Sequence, residues 1–333
     1  MTFTRLSESV QTLYAELLDQ LRAAEAETPI GGSFVSKEIN GRTYWYLQRS
    51  EGTTKRQIYV GAETPELLAQ IGKSKETRTD DAVRRELVAM IAAGGMHRES
   101  AAMSTVLRVL ADAGVFRNGG VLIGTQAFSC LANVLGVAFE SDSSRTADID
   151  VAHDPTVAVV AKRRAENDML ERLRTSDAKF FAVPELDARH PSTSFKVRGR
   201  DLRVDFLTPA RSGTKRKPYL LAHLGVAAQP LEGLDYLLRE TIDAAVIAGS
   251  GIYVRVPDPA RFALHKLWVA TQRPASESAK SRKDVRQAEQ LLDVLAEDRP
   301  DDIARAHKAL RPAMARRVNA RLKSLGRALH TRD

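Results

Sequence analysis

The stretch Arg145-Thr146-Ala147-Asp148-Ile149-Asp150-Val151-Ala152 sets two acidic residues two positions apart inside an otherwise apolar run. On a β-strand, side chains at i and i+2 share a face, so Asp148 and Asp150 point one way while Ile149 and Val151 point into a core. Two carboxylates held close together repel unless something positive sits between them. A hard divalent cation such as Mg²⁺ suits the position, since it takes oxygen ligands and is commonly held by one or two carboxylates plus substrate phosphates. The alternative is an edge strand whose two acids face water, as Asp does beside many turns. The sequence on either side bears on the choice.

Upstream, Val121-Leu-Ile-Gly-Thr125 reads as a short buried strand running into a glycine, and Gln126 to Leu135 follows with helical apolar spacing. A strand, a Gly-Thr turn and a helix N-terminus present free backbone N–H groups that attract phosphate. Glycine lets a triphosphate approach the backbone, and the Thr125 hydroxyl either adds a hydrogen bond or caps the helix. Downstream, strands are expected at 179–183 and 194–198, with a Gly199-Arg200 turn into Asp201-Leu-Arg-Val-Asp-Phe-Leu-Thr208. Leu202, Val204 and Phe206 alternate there with Arg203, Asp205 and Leu207. Asp205 is thus a mid-strand carboxylate, costly unless paired. It either pairs with Arg203 on the same face or completes a cluster with Asp148 and Asp150.

The order Leu122-Ile123-Gly124-Thr125, then Asp148-Ile149-Asp150, then a lone Asp205 in a later strand resembles the nucleotidyltransferase superfamily that includes DNA polymerase beta. The match spans roughly residues 115 to 210. The Tyr-Trp-Tyr-Leu-Gln48 segment and Pro257-Asp-Pro-Ala-Arg-Phe-Ala-Leu-His-Lys-Leu267 look like a bacterial group of nucleotidyltransferase-fold proteins. They are distantly similar to abortive-infection and toxin-type nucleotidyltransferases. Two departures stand out: the spacing from Thr125 to Asp148 is longer than the family's, and Thr125 stands where Ser or Gly is usual. The resemblance implies an α+β nucleotidyltransferase fold, a mixed sheet flanked by helices. It also implies that Asp148, Asp150 and Asp205 hold two Mg²⁺ ions, that an NTP such as ATP contacts Gly124, Thr125 and Lys266, and that nucleotidyl transfer releases pyrophosphate. Asp205 is the expected general base. Arg282, Lys283 and Asp284 resemble a Lys-Asp signature of the toxin-type relatives, although an exposed charge cluster is the simpler expectation for them.

The rest of the chain supplies context. Its 333 residues allow more than one domain, and 43% hydrophobic with 28% charged residues is ordinary for a globular protein. Cys130 is the only cysteine, so no disulfide forms within the chain. Met1 to Glu8 lacks an apolar signal core, and no apolar stretch is long enough to span a bilayer, so a cytoplasmic protein without membrane contact is expected. Net charge is +8, and residues 301–333 carry nine Lys/Arg against three Asp/Glu. Such asymmetry suggests RNA or another polyanionic partner, or else a solvated basic helix.

Leu6, Val10, Leu13, Leu17, Leu18 and Leu21 recur at helical spacing. Asn40-Gly41 is a strong hairpin signal, and strands are expected around it and at 55–60. Arg42, Tyr44, Trp45, Tyr46, Lys55 and Arg56 of this meander suit stacking on bases and contact with phosphates, or else the aromatics form the core of a small sheet. Helices are expected at 65–71, 81–93 and 100–113, with an apolar stripe of Val83, Leu87, Met90 and Ile91, and Met96 and Met103 in the core. A polar helix is expected at 156–175. Residues 234–247 read as helix or strand. From Pro259 onward the chain is helical, ending in a basic helix over 301–325, and Lys266 lies in an apolar frame of Phe262, Leu264, Leu267 and Trp268. His97, His153 and His265 show no ligand spacing. The expected division is an N-terminal helix (1–29), a β-meander (30–62), a helical connector (63–114), a catalytic domain (115–256) and a C-terminal helical domain (257–333).

Three functions are compatible with these features: nucleotidyl transfer to RNA, such as a tRNA-like acceptor; the same chemistry on a small-molecule or protein hydroxyl; and a non-catalytic nucleic-acid-binding protein. Three clustered carboxylates argue against the last, because they cost energy without a cation.

Overall fold

The computed structural model describes residues 3–26, 33–39, 41–51, 54–139, 147–155, 169–177, 179–185, 191–210, 217–222 and 224–327. The chain begins with strand β1 (Phe3–Arg5) and helix α1 (Glu8–Ala26), followed by β2 (Ser33–Ile39), β3 (Arg42–Glu51), β4 (Thr54–Ala62), α2 (Pro65–Ala93) and α3 (Ala101–Asp112). β5 (Gly120–Ile123) runs directly into α4 (Gly124–Val134), and β6 (Val137–Phe139) and β7 (Asp148–His153) follow. Next come α5 (Met169–Ser176), β8 (Phe180–Ala182), β9 (Ser194–Val197), β10 (Arg203–Pro209), β11 (Tyr219–Leu221), β12 (Val226–Leu231), the single turn α6 (Leu234–Leu237), β13 (Thr241–Val246) and β14 (Ile252–Pro257). Four helices close the order: α7 (Pro259–Ala270), α8 (Ser278–Asp298), α9 (Pro300–Lys308) and α10 (Pro312–Ser324).

β10 is the hub of a seven-stranded mixed sheet. One of its edges pairs in parallel with β7; the other is divided, antiparallel to β9 in its first half and parallel to β12 in its second. β5 lies antiparallel on the far side of β7. The two-residue alternation buries Ile149, Val151, Val204 and Phe206 completely, each contributing roughly 1.5–3 kcal/mol of apolar transfer. The same alternation turns the acids to the opposite face. With helices against it, this is the mixed, helix-flanked sheet that the sequence led us to expect.

A second core joins α1 to the body: Val10, Tyr14, Leu17, Leu18 and Leu21 pack with Leu87, Val88 and Ile91 of α2 and with Ala245 and Ile247. The Ala245 N–H donates to the Tyr14 hydroxyl at 3.0 Å. Met96 and Met103 are buried as expected. Among the described residues no helix is long and apolar enough to cross a membrane.

Several expectations are corrected. Residues 65–71 and 81–93 belong to one helix, α2; Gly72 and the polar run after it carry no period, yet an interior glycine costs a helix only about 1 kcal/mol. Its buried stripe is Leu87, Val88 and Ile91, while Val83 and Met90 are exposed. The 301–325 helix is two helices, because Arg311 precedes Pro312 and is held extended (φ −63°, ψ 147°). The undecided stretch 234–247 resolves into one helical turn and strand β13. Of the polar helix at 156–175, residues 156–168 lie outside the described residues, and helix α5 is present from Met169.

Candidate active site

β7 and β10 bring the acids together. In their parallel register Asp205 stands opposite Asp150, and Arg203 opposite Asp148, at a strand spacing of about 4.8 Å. On the other edge of β10, Ser194 stands opposite Asp205. The sheet surface therefore carries, in adjacent rows, Asp148 and Asp150, then Arg203 and Asp205, then Ser194.

The chain makes room for Asp150 by omitting a side chain. Gly124 has φ +68°, in the left-handed region, and a Cβ there would collide with Asp150 Oδ2. The residue before it, Ile123, is the N-cap of α4 and offers no side-chain cap. The first helical turn, whose N–H groups have no partner within the helix itself, and the helix dipole thus begin beside Asp150. Thr125 is buried inside that first turn and is not the cap.

Electrostatics mark Asp150 as the strained member. Its pKa is pushed up to about 6, first by burial and then by Asp205 and Asp148, against the opposing pull of Lys266 and Arg203. Asp205 is engaged elsewhere. Arg203 Nε donates to it at 2.7 Å, the Ser194 hydroxyl donates to the same oxygen, and an Arg203 amino group reaches Ser194 Oγ at 3.0 Å. Asp205 therefore pairs with Arg203 on its own face, and the register also sets it beside Asp150. Among the described residues no three His, Cys, Asp or Glu side chains stand ready to hold a metal ion, and the Asp205 carboxylate is turned onto Arg203 and Ser194. The donor chemistry nonetheless fits a hard divalent cation: the donors are all oxygen, and one carboxylate is driven toward protonation by burial and by its two acidic neighbours.

Helices α7 and α8 supply cations on the same side. Lys266 Nζ lies 2.7 Å from Asp284 Oδ1, and Arg273 Nε lies 2.6 Å from Asp284 Oδ2. Asp284 is 3% exposed, so this member of the Arg282-Lys283-Asp284 run is a buried ion-pair centre and not part of an exposed charge cluster; Arg282 is exposed. Lys283 is half-buried, and burial together with Lys266 pulls its pKa down against the opposing fields of Asp284 and Asp148. Lys266 and Lys283 thus sit within electrostatic reach of the two acids of β7.

Sequence reasoning missed Ser194 and Arg273. Ser194 reaches the cluster through strand register, and Arg273 reaches Asp284 from the α7–α8 connection; neither leaves a local pattern. Two of the described histidines lie away from the acids: His153 is buried with Nε2 2.9 Å from the Asn118 carbonyl, and full burial pushes His265 down to about 3. In the meander, Arg42 is exposed, whereas the Trp45 indole N–H donates to Glu63 at 3.0 Å. The side chains of Lys55 and Arg56 lie outside the described residues.

Comparison with known families gives two matches. A model described as a domain of unknown function (DUF6788) matches residues 5–70, and one described as Nucleotidyltransferase matches residues 101–311. No curated protein and no solved structure matches the chain. The second match begins at α3, ends after α9 and contains every acid and cation of the cluster. It covers nearly two-thirds of the 333 residues, and the chain belongs to this nucleotidyltransferase family.

Proposed function

We propose that the protein transfers an NMP group from an NTP to an acceptor hydroxyl, with RNA as the acceptor, at the face built by Asp148, Asp150 and Asp205. The observation that carries this reading is the parallel register that sets Asp205 beside Asp150, with Gly124 opened to receive the Asp150 carboxylate. The order of these residues supports a DNA polymerase beta-type arrangement. The Arg282-Lys283-Asp284 run, with its Asp284 buried, is the feature that supports kinship with the toxin-type branch.

In the proposed reaction the acceptor oxygen bonds to the α-phosphorus, the bond from that phosphorus to the bridging oxygen breaks, and pyrophosphate leaves. Mg²⁺ held by the three carboxylates would stabilise the phosphate charge and make the acceptor oxygen more nucleophilic. Asp205, released from Arg203, accepts the hydroxyl proton. Lys266 and Lys283 face the side from which the triphosphate would approach, and the open N-terminus of α4 offers N–H donors at Gly124 and Thr125. The surplus of basic residues supports a polyanionic acceptor.

The test is incubation with each labelled NTP, Mg²⁺ and total RNA. Label should enter RNA with the native chain and not with Asp148→Ala or Asp150→Ala. Undiminished transfer by either purified variant would sink the assignment, and label appearing only in protein or small molecules would move the acceptor to that class.

A further inference from the structure

We infer that the outward face of the β2–β3–β4 sheet is a base-stacking platform for a single-stranded segment of the acceptor nucleic acid. The inference rests on the RNA-acceptor reading above, but it is tested separately.

Alternation along β3 places Tyr44 and Tyr46 on one face, and a register irregularity between Trp45 and Tyr46 brings Tyr59 of β4 opposite Tyr46. The three rings form a contiguous group: Tyr46 and Tyr59 meet edge-on with centroids 5.6 Å apart, and Tyr44 and Tyr59 are 6.2 Å apart. Lys37, opposite Tyr44 on β2, holds its ammonium 4.9 Å over the Tyr46 ring.

A small sheet could need such rings as its core, but the exposure of this group opposes that. Tyr59 is 57% exposed. The other face is the one that packs: Trp45 points there and bonds Glu63 just before α2, and Gly61 lies against the buried Leu67 of α2. Tyr59 is left facing solvent, with Tyr44 and Tyr46 half-buried at its side.

One exposed ring flanked by two half-buried ones, with a cation above one of them, matches the chemistry of unpaired bases, which stack on aromatic faces while their phosphates meet Lys or Arg. Duplex bases already stack on one another and cannot use such a surface. Residues 33–62 carry five Lys/Arg against two Glu, so the charge complements a phosphate backbone more readily than an acid-poor protein surface.

The experiment measures anisotropy of a fluorescein-labelled single-stranded oligoribonucleotide, with full-length Asp150→Asn protein and no NTP. Tyr44→Ala and Tyr59→Ala should each weaken binding about tenfold. Tyr59→Phe, which keeps the ring, should bind as its parent does, and a duplex of equal length should bind more weakly than the single strand. The Tyr59→Ala variant should keep the parent's salt slope, whereas Lys37→Ala and Arg42→Ala should flatten it. Equal affinity of the Ala variants and their parent overturns the platform, as does equal affinity for duplex. So does loss in Tyr59→Phe as large as in Tyr59→Ala. Single-strand binding that follows this pattern in a protein that never labels RNA would leave the platform standing and remove the acceptor reading alone.

Discussion

The Asp150 carboxylate occupies the space in which a side chain on Gly124 would begin. Gly124→Ala therefore meets two obstacles, a left-handed backbone that costs a non-glycine residue roughly 1–2 kcal/mol and a carboxylate that must be displaced. We predict a fall in kcat of at least about a hundredfold, as for other displaced reacting groups, with only a few degrees lost in Tm. Steady-state kinetics beside thermal melting checks this; an active Gly124→Ala protein would mean that Asp150 does not need its present position.

Asp150 also predicts a pH dependence. Its folded-state pKa of about 6 lies above the roughly 3.9 of an unfolded aspartate, so the folded chain binds this proton more tightly than the unfolded one. That contribution is complete below about pH 4 and is lost as pH rises through about 6. Without divalent cations, Asp150→Asn should be more stable than the native chain at pH 7.5 by about 1–3 kcal/mol, the upper figure being two pKa units, and no more stable at pH 4. Mg²⁺ should narrow or reverse the difference at pH 7.5 and leave it unchanged at pH 4. Denaturant unfolding at the two pH values reads it out. Raised carboxylates elsewhere, such as Asp112 and Asp258, titrate in both proteins and cancel in the comparison.

Arg203 bonds the carboxylate that a cation would need. Substituting Arg203→Gln should free Asp205 and lower the Mg²⁺ or Mn²⁺ concentration at which the melting temperature rises, by several-fold. It should also destabilise the cation-free protein at neutral pH, because Asp205 and Asp150 then face each other unscreened. A metal titration unchanged from the native chain would assign Arg203 a purely structural role.

The sheet face was legible in the sequence because its signal is local. Alternation at Asp148–Val151 and Leu202–Phe206 fixes which side chains share a surface. A glycine after an apolar strand marked a close approach, expected there for a phosphate; that the group against it is the Asp150 carboxylate was not legible. Register was not legible: nothing in the composition of β9 says that Ser194 rather than Lys196 stands beside Asp205. Nor was the burial of Asp284, since Ser281-Arg-Lys-Asp-Val reads as a charged helix surface until α7 is laid against α8. The joining of residues 65–93 into one helix escaped for the opposite reason: the polar run after Gly72 has no apolar period and leaves no pattern to find.

Asp284 provides the last prediction, since it neutralises two cations at once, Lys266 and Arg273. Removing one member of a buried pair costs about 3–5 kcal/mol when the partner is left without compensation. The two partners of Asp284 make the outcome asymmetric. Lys266→Met leaves Asp284 still bonded to Arg273 and puts an apolar end of similar size where the ammonium lies over the Phe262 ring, so the fold should lose no more than about 1 kcal/mol, as in volume-conserving changes. Asp284→Ala leaves Lys266 and Arg273 facing each other in a largely buried space and should cost several times as much. If Lys266 serves the triphosphate as proposed, Lys266→Met should raise KM for the NTP while its Tm stays near native, and adding Asp284→Ala to it should destabilise less than Asp284→Ala alone. A Lys266→Met protein that melts as low as Asp284→Ala, with KM unchanged, would make the lysine a structural counter-ion and leave Lys283 as the cation that meets the nucleotide.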